Sequence, residues 1–182
     1  MLSEEQKKRV LELAREAIES YFQHKEPKFD DKFLSKKHGV FVTIKLGDQL
    51  RGCIGFPEPT YTLGEAIIQA SRAAAFNDPR FPELNESELK DIKIEVSVLT
   101  EPDEIKVKKP EEYIEKINIG TDGLIAKKGF QAGLLLPQVA TEWGWDSKEF
   151  LQQTCVKAGL TIDAWKDADT KIFKFQADVF SE

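Results

Sequence analysis

The chain is poor in the side chains that most often handle metals, electrons and protons: its 182 residues include two cysteines, two histidines and one methionine. Cys53 and Cys155 lie far apart and form neither a C-x-x-C redox pair nor a zinc framework, so two reduced thiols are expected. A Cys53–Cys155 disulfide is the alternative that geometry decides. There is no glycine-rich phosphate loop, no H-E-x-x-H and no carboxylate–histidine cluster at ligand spacing, so neither a cofactor nor a metal is expected. Positive charge is also in deficit, 26 Lys and Arg against 32 Asp and Glu, for a net charge of −6. That balance argues against the basic face a phosphate backbone needs, and nucleic acid is not expected as a partner. No run approaches the roughly 18 apolar residues of a membrane span, and the N-terminus lacks an apolar signal region. The chain is expected to be cytoplasmic, mature as written and without a membrane partner.

With 41% hydrophobic and 32% charged residues, the composition suits one sizeable core, and residues 1–182 are expected to form a single domain, sub-lobes being left open. Ser3-Glu4-Glu5-Gln6 and Thr62-Leu63-Gly64-Glu65 read as capping boxes that open helices, the first carrying Val10, Leu11, Ala14, Ala17, Ile18, Tyr21 and Phe22 at helical spacing. Residues 25–38 read as a long loop pinned by Phe29, Phe33 and Leu34. Asn77-Asp78-Pro79-Arg80-Phe81-Pro82 stops the second helix, because neither proline can continue it. Pro110 is expected to start a helix through Ile117, Pro137 and Asp146 open two more, and Gly159 closes the last. Period-two alternation predicts a hairpin of Gly39–Leu46 with Leu50–Phe56, a strand over Ile92–Leu99 and two strands joined through Lys127-Lys128-Gly129. One last strand is predicted through Phe173, Phe175, Ala177 and Val179. Hairpins with helices between them imply an α+β fold, a largely antiparallel or mixed sheet flanked by helices.

Within this frame Leu50-Arg51-Gly52-Cys53-Ile54-Gly55-Phe56 is the unusual stretch. Two glycines weaken a short strand, so they point to close approach by a ligand or by another backbone. In an unbroken strand Arg51 and Cys53 share a face, their Cα atoms about 7 Å apart. A cation beside a thiol favours the nucleophilic thiolate, which makes Cys53 and Arg51 the candidate catalytic pair. The competing reading is that Cys53 is a small buried hydrophobe. Arg51 is either a clamp for carboxylate or phosphate, or half of a structural ion pair with Glu95 or Asp78. Gly52, Gly55, Asn77, Asp78 and Arg80 are candidate substrate-binding residues, the last three in a stiff turn whose simpler role is to end a helix. A Cys–His dyad is disfavoured: in hairpin register His38 lies about 15 Å from Cys53, and His24 ends the first helix. Cys155 sits on an apolar helix face and is expected in the core. Trp143, Trp145 and Trp165 are expected as packing anchors, an exposed one marking a partner surface.

The segment Leu-Arg-Gly-Cys-Ile-Gly at 50–55 resembles the hallmark of the AMMECR family, in the form found in prokaryotes. Four further blocks resemble that family in order: Ala73 to Pro82, Glu95 to Leu99, Gly133 to Ala140, and Cys155 to Leu160. The resemblance implies an α+β fold of two unequal lobes with Leu50–Phe56 near the cleft between them. It points to Arg51, Gly52, Cys53 and Gly55, and less directly to Asn77, Asp78 and Arg80. Through the genes that accompany prokaryotic members, it also implies association with a radical-SAM protein or a dioxygenase-like protein; a homodimer is left open. Two functions follow. The chain is an enzyme or enzyme subunit whose Cys53 and Arg51 act on a small anionic substrate or a modified partner residue. Alternatively it is a binding or scaffold module whose Leu50–Phe56 strand is the recognition surface.

Overall fold

The computed structural model describes residues 2–182. Both expected capping boxes form: the Ser3 and Thr62 hydroxyls accept from the N–H groups of Gln6 and Glu65, whose side chains bond back to the cap residues. They open α1 (Glu4–Phe22), and, after β1 (Gly39–Leu46) and β2 (Gln49–Phe56), α2 (Leu63–Phe76). The intervening loop holds one short 3-10 turn, Lys32–Ser35. β3 (Ile92–Leu99) follows, then β4 (Asp103–Glu104), α3 (Glu112–Glu115), β5 (Gly123–Lys128), β6 (Gln131–Leu135), α4 (Pro137–Trp143), α5 (Ser147–Lys157), β7 (Lys171–Phe175) and β8 (Ala177–Ser181). The helix expected from Pro110 to Ile117 shortens to α3.

Two features differ from the expected single sheet with one final strand. There are two four-stranded sheets, ordered β2-β1-β3-β8 and β4-β7-β5-β6, and the final alternating stretch is divided between them. Gln176 is the break: its N–H donates to Thr100 Oγ1 at 2.9 Å and its carbonyl accepts from Thr100 N at 2.9 Å. The chain correspondingly forms two compact units, one running to Leu99 and regaining Asp178–Glu182, the other Thr100–Ala177. The fold is α+β with antiparallel pairing in each sheet.

In the first unit α1 and α2 cover one face of the sheet. Val10, Leu13, Ala14 and Ile18 of α1 meet Ala66, Ile67, Ala70 and Ala74 of α2 and Val40, Val42, Ile44, Ile94 and Val96 of the sheet in one core. Small alanines let α2 lie close on the strands, so the hydrophobic gain comes with short backbone-to-backbone distances. The second unit buries Leu124, Ala126, Phe150, Leu151, Cys155, Trp165 and Ile172 around β5, β7 and α5. Here Asp146 caps α5 as expected. Among the described residues no helix is long and apolar enough to cross a membrane.

Candidate functional site

The site begins with an irregularity in the β1–β2 hairpin. Leu46 pairs with Gln49 and Lys45 with Leu50, but Ile44 pairs with Gly52 and Thr43 with Cys53, so Arg51 is an extra residue in a β-bulge. Continuing the register of the turn would set Cys53 opposite Val42, on the core face, because a one-residue slip exchanges the faces of a strand. The bulge instead places Gly52, Ile54 and Phe56 beside the core residues Ile44, Val42 and Val40 and turns Cys53 to the face of Thr43. Arg51 is the residue of β2 without a partner on β1.

Arg51 is committed to the segment after α2. Its Nε and Nη2 donate to the Glu88 carboxylate at 2.9 and 3.0 Å, Nη1 to Pro82 O at 2.8 Å and Nη2 to Glu83 O at 3.1 Å. Its ion-pair partner is thus Glu88; Glu95 pairs with Lys45 and Asp78 with Arg80. The fork holds the Glu88 carboxyl below its usual range.

The cation at Cys53 is Arg80. β2 is an edge strand, so the outward backbone groups of Cys53 need partners that no neighbouring strand supplies. The turn after α2 supplies them: Cys53 N donates to Asp78 Oδ2 at 2.9 Å, and Arg80 Nη2 donates to Cys53 O at 3.0 Å. Asp78 is buried and also accepts from Arg80 N, Nε and Nη2 at 3.1, 2.9 and 2.7 Å. The guanidinium, followed by those N–H groups, holds its carboxyl far below the usual carboxylate range despite burial. Asp78 in turn raises the affinity of the Arg80 guanidinium for its proton. Thr43 Oγ1 donates to Cys53 Sγ at 3.2 Å. The half-buried, unbridged thiol thus accepts from a hydroxyl, and a guanidinium holds the carbonyl of the same residue.

The two glycines serve close approach, and the approaching groups belong to the chain itself. A Cβ on Gly52 would overlap the Ala74 carbonyl of α2, and one on Gly55 would overlap Val40 O and the Phe41 ring. Asn77 caps the end of α2 through its N–H to Ala73 O. The histidines stand elsewhere: His38 Nδ1 is 3.2 Å from Leu99 O, and His24 follows α1 with a φ of 52°. Cys155 is buried, free and pushed up to about 11 by burial. Trp165 is in the core, whereas Trp143 is exposed and stacks on Trp145 with ring centroids 5.9 Å apart. Among the described residues no group of three His, Cys, Asp or Glu could hold a metal ion.

Arg80 and Thr43 are the groups that sequence reasoning did not bring to the thiol. Arg80 was visible as a polar residue in a stiff turn, but nothing local connects that turn with Cys53. Thr43 depends on the bulge, which leaves no signal in the alternation.

Comparisons with known proteins agree on relationship. The AMMECR1 family profile matches residues 11–180. A protein of Thermococcus onnurineus is 53% identical over 182 aligned residues, covering 95% of this chain and 88% of its own. One of Methanothermobacter thermautotrophicus is 46% identical over 185, covering 100% of this chain and 96% of its own. The crystal structure of the uncharacterised protein PH0010 from Pyrococcus horikoshii matches with a TM-score of 0.87 at 50% identity, covering 95% of this chain and 89% of that one. The chain belongs to the AMMECR1 family.

Proposed function

We propose that the chain is an enzyme or enzyme subunit whose thiol–arginine site acts on a small anionic substrate or on a modified residue of a partner protein. Cys53 is the nucleophile, Arg80 the cation beside it, and Arg51 braces the segment that carries Arg80. One observation carries the reading: the half-buried Cys53 thiol accepts from Thr43, and the Arg80 guanidinium is bonded to the carbonyl of the same residue. A thiol placed only for packing has no need of either neighbour. Gly52 and Gly55 then contribute by letting the strand pack tightly. The reading fits a reducing cytoplasm with both thiols free, and the partner implied by the family resemblance is a radical-SAM or dioxygenase-like protein.

Iodoacetamide labelling of the folded protein, with the modified peptide identified by mass, tests it. Cys53 is expected to be alkylated about tenfold faster than free cysteine at pH 7, and a rate no faster than free cysteine overturns the nucleophile. A second reading, a non-catalytic binding module, is favoured by the glycines, whose space the chain fills for itself. It predicts that Cys53→Ala retains a co-purifying partner at full yield, whereas the enzyme reading predicts loss of turnover in that variant.

A further inference from the structure

The thiol reading leaves open which group receives the negative charge of the substrate. Arg51 is poorly suited. Its bonds to Glu88, Pro82 O and Glu83 O use four of the five N–H groups of a guanidinium, and its side chain is 11% exposed. Arg80 differs on both counts. Its side chain is 55% exposed, and its bonds to Asp78 and to Cys53 O use Nε and Nη2, leaving Nη1 outside them. The plane of the fork is held by the bidentate carboxylate on one side and by the Phe81 ring, whose centroid is 5.5 Å from Cζ, on another. Because Nη2 bonds the carbonyl of Cys53 itself, the distance between guanidinium and thiol is set through a single residue.

We infer that Arg80 is the specificity-determining residue of the Cys53 site, its Nη1 N–H groups receiving the carboxylate or similar oxyanion of an electrophile whose neighbouring carbon meets the sulfur. Asp78 is the positioning residue: it fixes the guanidinium and the Cys53 main chain together. Since Asp78 already offsets charge on Arg80, recognition rests on directed hydrogen bonds, and the selectivity is of the order of fivefold. The inference rests on the proposed nucleophilic thiol, and the test separates the two.

Iodoacetate and iodoacetamide share a leaving group and differ in carrying a carboxylate or a neutral amide next to the reacting methylene. In both, the thiolate sulfur forms an S–C bond while the C–I bond breaks and iodide leaves with the electron pair. The ratio of the iodoacetate rate to the iodoacetamide rate at Cys53 is expected to exceed that of free cysteine by about fivefold, to fall to the free-cysteine ratio in Arg80→Met, to be partly restored in Arg80→Lys, and to be unchanged in Lys8→Met, which removes an exposed cation of α1. In the unmodified protein, inorganic phosphate is expected to slow iodoacetate more than iodoacetamide, a readout that needs no folded variant. A wild-type ratio equal to that of free cysteine, or a ratio lost in Arg51→Met but kept in Arg80→Met, overturns the role of Arg80 while fast iodoacetamide labelling still supports the thiol. Slow iodoacetamide labelling overturns the thiol and the role of Arg80 with it.

Discussion

Asp78 is a helix-stop residue with a second role, since one buried carboxylate accepts four hydrogen bonds from Cys53 and Arg80. Asp78→Asn keeps the shape and removes the charge; it is expected to cost about 2 kcal/mol in urea unfolding at pH 7. The sign of the pH dependence follows from the depressed folded value. A carboxyl held below its unfolded value, near 3.9, stabilises the fold fully above that value and progressively less as pH falls. The gap between wild type and Asp78→Asn should therefore narrow from pH 7 to pH 3, and a gap that widens toward acid would show that the charge is not what stabilises. Arg51 and Glu88 form a separate bidentate pair, both mostly buried. A double-mutant cycle with Arg51→Met and Glu88→Gln should give a coupling of about 1–3 kcal/mol, and additivity would sink the bracing role. At this level the residue types were legible and the pairings were not: Arg51, Asp78 and Arg80 are visible as charges, but their partners are decided by where the turn after α2 meets β2.

The β1–β2 hairpin shows how one inserted residue decides the chemistry of a strand. Its turn, Gly47 with φ 60° followed by Asp48, starts a register that the bulge at Arg51 then shifts. Without that shift the thiol would be directed into the core and Ile54 away from it. Gly52 is part of the same arrangement, because α2 crosses so close that its Ala74 carbonyl occupies the space of a Cβ. Gly52→Ala is expected to destabilise by about 3 kcal/mol, as backbone rather than a flexible side chain must move. Stability within about 0.5 kcal/mol of wild type in urea unfolding would contradict this packing. Strand existence, helix caps and the glycines as marks of close approach could all be read from alternation and spacing. The bulge could not, since both registers preserve alternation within β2 and only the match to β1 and α2 separates them.

Each unit has its own core, and the probes divide between them. Trp143, Trp145 and Trp165 all lie in Thr100–Ala177, so tryptophan fluorescence follows that unit while far-UV circular dichroism follows both. Gly52→Ala should lower the circular dichroism transition more than the fluorescence transition, and identical shifts would show that the units unfold as one. The chain's return to the first sheet matters in the same way. Glu182 N donates to Ile94 O, Ile94 N donates to the Glu182 carboxylate, and that carboxylate also holds Arg15. Capping, the periods of helix and strand, the α+β class and the family blocks were all readable from residues that act on near neighbours, within a helical turn or a pair of strands. The division of the last alternating stretch between two sheets, the face on which Cys53 lies and the choice of Arg80 as its cation came only with the folded chain. Their cause is pairing between segments far apart in sequence: an edge strand must satisfy its backbone groups with whatever the fold brings alongside, and here that is the turn carrying Asp78 and Arg80.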